Sequence, residues 1–156
     1  MNNYIIHPFN NKIETGLRIL SVLNATYPKS YDLQSIVYLD YLTVHSGDFD
    51  FKMISLHPSV QNRKGELLIR REMILSSIDL FIEKGLIEKL YTDQGIEYIA
   101  SDQSTTFLDT LSEEYLLNLQ TRSIWVNEYL ENLNSKTLKE IMMDFIKNGN
   151  SNLDII

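Results

Sequence analysis

Apolar residues recur along this chain at spacings that mark out its elements. Ile13, Leu17, Leu20 and Leu23 follow one another at helical intervals and predict a first helix that stops before Pro28. Leu33, Ile36, Val37, Tyr41 and Val44 predict a second, with Ser30 or Asp32 able to cap its start and Gly47 ending it. A loop of about eighteen residues follows, a length that points to a function or a partner. The third helix is predicted from about Gly65 to Lys84, with Gly85 in the position of a C-terminal cap. Leu86 to Tyr91 then reads as a strand, Thr92-Asp93-Gln94-Gly95 as a turn, and Ile96 to Ile99 as the returning strand.

Ahead of these elements, Tyr4-Ile5-Ile6 fits a short strand or an extended arm ending at Pro8. Behind them, Ser104 to about Asn132 is mostly helical with a break near Leu111-Ser112, where Ser112 can cap a helix opening on Glu113 and Glu114. A last amphipathic helix near Ser135 to Lys147 carries Leu138, Ile141, Met142, Phe145 and Ile146, and runs into a polar tail, Asn148-Gly149-Asn150. Three helices followed by a hairpin is the order of a winged helix-turn-helix, and Gly85-Leu86-Ile87-Glu88 suits its strand entry. The expected class is mostly α (α+β). A winged-helix domain would span 1–101, with an N-terminal arm and a long 47–65 loop, and a C-terminal helical extension, 102–156, would pack on it.

The third helix holds the main tension. Its start is basic, with Arg63, Lys64, Arg70 and Arg71, as a DNA reader would need. Its solvent face instead carries Glu72, Ser76, Asp79 and Glu83, whose spacing places them along one side. Carboxylates suit a phosphate-lined groove poorly. Leu67, Ile74, Leu75, Ile78, Phe81 and Ile82 form the core stripe, and Arg71 falls within it. A guanidinium there needs a partner, with Asp40 and Asp48 as candidates, unless its stem packs and its head reaches water. A structural pair is the favoured reading, while Arg70 points elsewhere, toward phosphate or a partner. A smaller stripe of Ile69, Met73 and Leu80 predicts that this helix is sandwiched, with cover from the C-terminal helices favoured over another chain.

Composition narrows the classes. At 156 residues, 44% hydrophobic and 22% charged, the chain suits one globular domain with an extension. It has no cysteine, which removes disulfides and thiolate metal sites. With no signal-like start and no apolar run near the roughly 18 residues of a membrane span, a soluble cytoplasmic protein is expected. The net charge of −7 comes entirely from residues 92–134, where eight acids face Arg122 alone. Such a segment resists free DNA and suits a basic protein partner, or is simply a solvated helical face.

Candidate chemistry is sparse. His45 with Asp48, and His57 twelve residues on, raise a metal site, but no His-Glu-x-x-His spacing is present and His7 precedes a proline. His57 before Pro58 is better read as a loop anchor. There is no Gly-x-Ser-x-Gly, no Walker loop and no Gly-x-Gly-x-x-Gly, and the carboxylate pairs Glu113-Glu114 and Asp48-Asp50 lack a catalytic setting. No enzyme activity, cofactor or metal is expected. Trp125, with Ile124, Val126 and Tyr129, marks an aromatic patch for which core packing is favoured over an interface.

A set of phrases carries a family resemblance. Tyr27-Pro28, Tyr31-Asp32-Leu33, Leu39-Asp40-Tyr41-Leu42, Val44-His45-Ser46-Gly47-Asp48, Ser55-Leu56-His57-Pro58, Gly65-Glu66-Leu67-Leu68, Arg70-Arg71 and Gly85-Leu86 together resemble the middle component of ABC three-component systems. Within these, the chain is similar to the small subunit of Lamassu-type anti-phage and anti-plasmid defence. The resemblance covers about residues 5–130. It departs where the family's Gly-Pro and second proline give way to Phe49-Asp50-Phe51-Lys52 and Gln61-Asn62. It implies a non-enzymatic accessory subunit that bridges or regulates an SMC/Rad50-like ATPase and an effector nuclease, with DNA reached through the complex. The partner- or DNA-contact candidates are then Arg63, Lys64, Arg70, Glu72, Asp79 and Glu83; Asp40, Asp48, His57 and Arg71 are the structural set. The alternative is a winged-helix transcriptional regulator.

Overall fold

The computed structural model describes residues 11–133 and 135–151, with the side chains of 149–151 left aside. The Tyr4-Ile5-Ile6 arm, His7 and Pro8 lie outside the described residues. The elements run α1 (Lys12–Ala25), α2 (Leu33–Val44), α3 (Arg63–Glu83), β1 (Ile87–Thr92), β2 (Gly95–Ala100), α4 (Ser104–Asp109), α5 (Glu114–Glu131) and α6 (Leu138–Ser151), a mostly helical α+β arrangement. No helix among the described residues is long and apolar enough to cross a membrane.

Side-chain caps set the helix starts. Asn11 accepts from the Glu14 N–H, Asp32 from the Ser35 N–H and Asn62 from the Gly65 N–H, each satisfying a donor that the first turn leaves open. Asp32 is therefore the cap of α2, while Ser30 bonds Glu97. The Asn62 cap starts α3 at Arg63, two residues before the predicted start. Thr137 and Glu140 form a reciprocal capping box ahead of α6. Glu113 stands at the start of α5 without a side-chain bond, so Ser112 does not cap it. The polar tail Asn148-Gly149-Asn150 is a continuation of α6.

Helices α1 and α2 are buried nearly all round, through Thr15–Leu23 and Ile36–Val44, which places them at the centre. Phe81 of α3 packs so close to α1 at Gly16 that a Cβ there would fall 2.2 Å from its ring. Leu108, Leu116, Leu119, Val126 and Met142 of the later helices join the same core. The hairpin is antiparallel, from Ile87 opposite Ala100 to Thr92 opposite Gly95. Tyr31, between α1 and α2, adds a further rung by exchanging both backbone bonds with Tyr98. Gly85 and Gly95 have φ of 76° and 116°, conformations glycine adopts without strain, at the helix end and the hairpin turn.

Candidate functional site

Charged side chains from three helices meet inside this core. Arg18 of α1 is only 3% exposed and donates to Asp40 of α2 through Nε (2.9 Å) and Nη2 (3.3 Å). Arg70 of α3 reaches the same carboxylate through Nη1 at 2.7 Å and turns its other edge to Glu66, four residues back (2.9 and 2.7 Å). His45, at the end of α2, completes the line with Nε2 3.1 Å from Glu66 Oε1. An ionised carboxylate only accepts, so Nε2 carries the proton of that bond. On the other side, Tyr115 of α5 bonds both Arg18 and His57, whose Nε2 lies 3.3 Å from the tyrosine oxygen.

The electrostatics follow from mutual pairing. Burial alone would raise the Asp40 carboxyl, but the Arg18 and Arg70 guanidinium groups outweigh it and hold its pKa down to about 2. Glu66 is likewise lowered: burial opposes, and His45 and Arg70 prevail. For His57, burial, then Arg18 and Arg70, outweigh the opposing Asp40 carboxylate and push it down to about 4, so it is neutral. Tyr41 OH, His45 Nδ1 and Glu66 Oε2 are buried without a hydrogen bond among the described residues.

The long loop is tied to this centre. Its His57 N–H donates to the Val44 carbonyl, and the Gly47 N–H donates to Ser55 Oγ. Ser59 bonds Asp48, and Arg122 of α5 donates to the Ile54 carbonyl at 2.6 Å. Phe51 and Ile54 stay exposed at its tip. Among the described residues, no group of three or more His, Asp or Glu converges in a metal-binding arrangement.

Several sequence expectations change here. Arg71 does not enter the core; it is exposed and bonds Gln34, while Arg70 is the residue paired with Asp40. The two arginines flank the buried stripe about 100° apart, and Asp40 stands on the Arg70 side. Asp48 meets Ser59 rather than an arginine. Arg63, assigned to a partner or DNA, lies over the Phe145 ring at 3.5 Å and donates to the Phe145 carbonyl. Lys64, Glu72, Asp79 and Glu83 are exposed. Leu75 leaves the core face, and Ile69 and Met73 are exposed rather than covered by the C-terminal helices. Trp125 and Tyr129 are half-buried and pack together at 5.2 Å, beside an exposed Ile124. Arg18 and Tyr115 were not foreseen. Arg18 is the one charge within the buried run Thr15–Leu23 of α1, which is its signal in the sequence, and the Glu66-x-x-x-Arg70 spacing is the signal for Arg70.

The fold and site thus define a class: a small helical α+β protein whose helices and long loop are locked to one another by a buried charge network. The model of the family described as ABC-three component (ABC-3C) system Middle Component 2 matches residues 8–151. The chain belongs to that family, and membership implies partners within the system. No curated protein matches the chain. No solved structure matches it either.

Proposed function

We propose that this chain is a non-enzymatic winged-helix subunit of its three-component system, acting in the cytoplasm. In this reading it bridges or regulates an SMC-like ATPase and an effector nuclease of a Lamassu-type defence complex that responds to foreign DNA. The observation that carries the reading is how α3 spends its charges. Arg63 is held by Phe145, Arg70 by Asp40 and Glu66, and Arg71 by Gln34, while Glu72, Asp79 and Glu83 face solvent. A helix whose three arginines are engaged within the protein while Glu72, Asp79 and Glu83 face solvent is suited to a protein partner rather than to phosphates.

The winged-helix assignment draws support from the Tyr31–Tyr98 rung, which adds a third strand position between α1 and α2 to the hairpin sheet. A DNA-reading helix-turn-helix joins its two helices by about three or four residues; here residues 45–62 intervene between α2 and α3. The test is co-expression with the ATPase and effector encoded beside it. Stoichiometric co-purification of all three is the expected result. A chain that purifies alone and binds duplex DNA tightly, with a steep salt dependence, would overturn the reading.

A further inference from the structure

Helix α3 is 21 residues long, about 31 Å at about 1.5 Å per residue. A surface helix normally keeps its apolar residues on the buried stripe, here Leu67, Ile74, Ile78 and Phe81. On the opposite side α3 also exposes Leu68, Ile69 (78%), Met73 and Leu75. Their helical positions are ordered. Ile69 and Met73 lie on one flank of the Glu72–Asp79–Glu83 line, and Leu68 and Leu75 lie on the other, so carboxylates run between two apolar rows. Beside the first row a groove of about 660 Å3 opens between α1 and α3, with Val60, Ile69 and Met73 on its walls and Arg18 and Asp40 at its base.

None of the cations on α3 bonds this line: Arg63, Arg70 and Arg71 are engaged elsewhere, and the exposed Lys64 stands about two turns before Glu72. The face is therefore apolar and negative together, which sets the chemistry of what fits it. A second copy of this chain meeting it symmetrically would bring Glu72, Asp79 and Glu83 against their own counterparts. A nucleic acid would bring phosphates against carboxylates. We infer that this face of α3, with the adjoining groove, docks an amphipathic helix of a partner subunit that presents a ridge of Lys or Arg between apolar residues. The apolar rows supply contact area in the helix-in-groove manner, and the central carboxylates set register and select a basic partner.

The inference rests on the accessory-subunit reading, and one experiment separates the two. The three-component operon is expressed with a photocrosslinking benzoylphenylalanine in place of Ile69 or Met73, and crosslinked peptides are mapped by mass spectrometry. Crosslinks from both positions should fall in one helical segment of a partner subunit that carries Lys or Arg flanked by apolar residues. The triple substitution Glu72→Lys, Asp79→Lys, Glu83→Lys should reduce their yield at least tenfold, and reversing the basic residues of the mapped segment should restore it. Ile69→Ser serves as a single, exposed-site variant should the triple change impair folding, and it should weaken co-purification. If the complex assembles but positions 69 and 73 crosslink to a second copy of this chain, to DNA or to nothing, the docking inference fails and the accessory reading stands. If the three soluble proteins do not co-purify at all, both fail.

Discussion

Asp40 bonds Arg18 and Arg70 at the same time inside the core, and its removal takes a buried carboxylate from both, leaving Arg70 with Glu66. Asp40→Asn keeps the shape but loses the charge. The expected loss is about 3–5 kcal/mol, or a fall of roughly 10 °C in melting temperature for a chain of this size, measured by circular dichroism. Arg71→Ala, at an exposed position, should cost less than about 1 kcal/mol in the same assay. Acid should weaken the fold in two windows. The folded state keeps His57 neutral with a pKa of about 4 against 6.5 in the unfolded chain. The unfolded chain therefore binds the extra proton between those values, and stability falls as pH drops through that range. Asp40 acts lower: its stabilisation is present above 3.8 and is lost as pH falls toward about 2. Urea midpoints between about pH 7 and about pH 3 should decline throughout, and His57→Gln should flatten only the upper part. The surroundings that set these directions are Arg18, Arg70, Asp40 and His45, from three helices and the end of α2.

At the scale of elements, α1 and α3 depend on one close approach. A methyl at Gly16 would meet the Phe81 ring at 2.2 Å, so Gly16→Ala must push α3 outward or force Phe81 off its rotamer. A loss of about 1–3 kcal/mol is expected, read from the denaturant midpoint, and Phe81→Leu in the same chain should recover part of it by making room. Helix order and the hairpin were legible in the apolar spacing, because periods of 3.6 and 2 each reflect one buried face. Helix starts were less legible. Asn62 and the Thr137–Glu140 pair cap α3 and α6, whereas Ser112, of an equally suitable type, caps nothing. Residue type permits a cap, and local backbone geometry decides whether it forms.

For the whole molecule, the balance between inward cations and outward carboxylates governs what can bind. The isolated chain should show no duplex binding tighter than about 10⁻⁴ M at physiological salt, followed by fluorescence anisotropy. The Glu72→Lys, Asp79→Lys, Glu83→Lys chain should bind duplex measurably and with a steeper salt slope, since it then presents donors to phosphate. From the sequence alone came the element order, the acidic line on α3, and the family phrases between Tyr27 and Leu86, and the model of that family matches residues 8–151. These depend on composition and local period, which the linear chain contains in full. Only the tertiary structure decided that Arg70 rather than Arg71 turns inward, that Arg18 and Tyr115 join the network, and that Ile69 and Met73 stay uncovered. Each of those outcomes depends on which distant group stands opposite a side chain. Asp40 is 30 residues from Arg70 along the chain yet 2.7 Å away in space. Adjacent arginines on one helix differ by about 100°, and the packing of α2 selects between them.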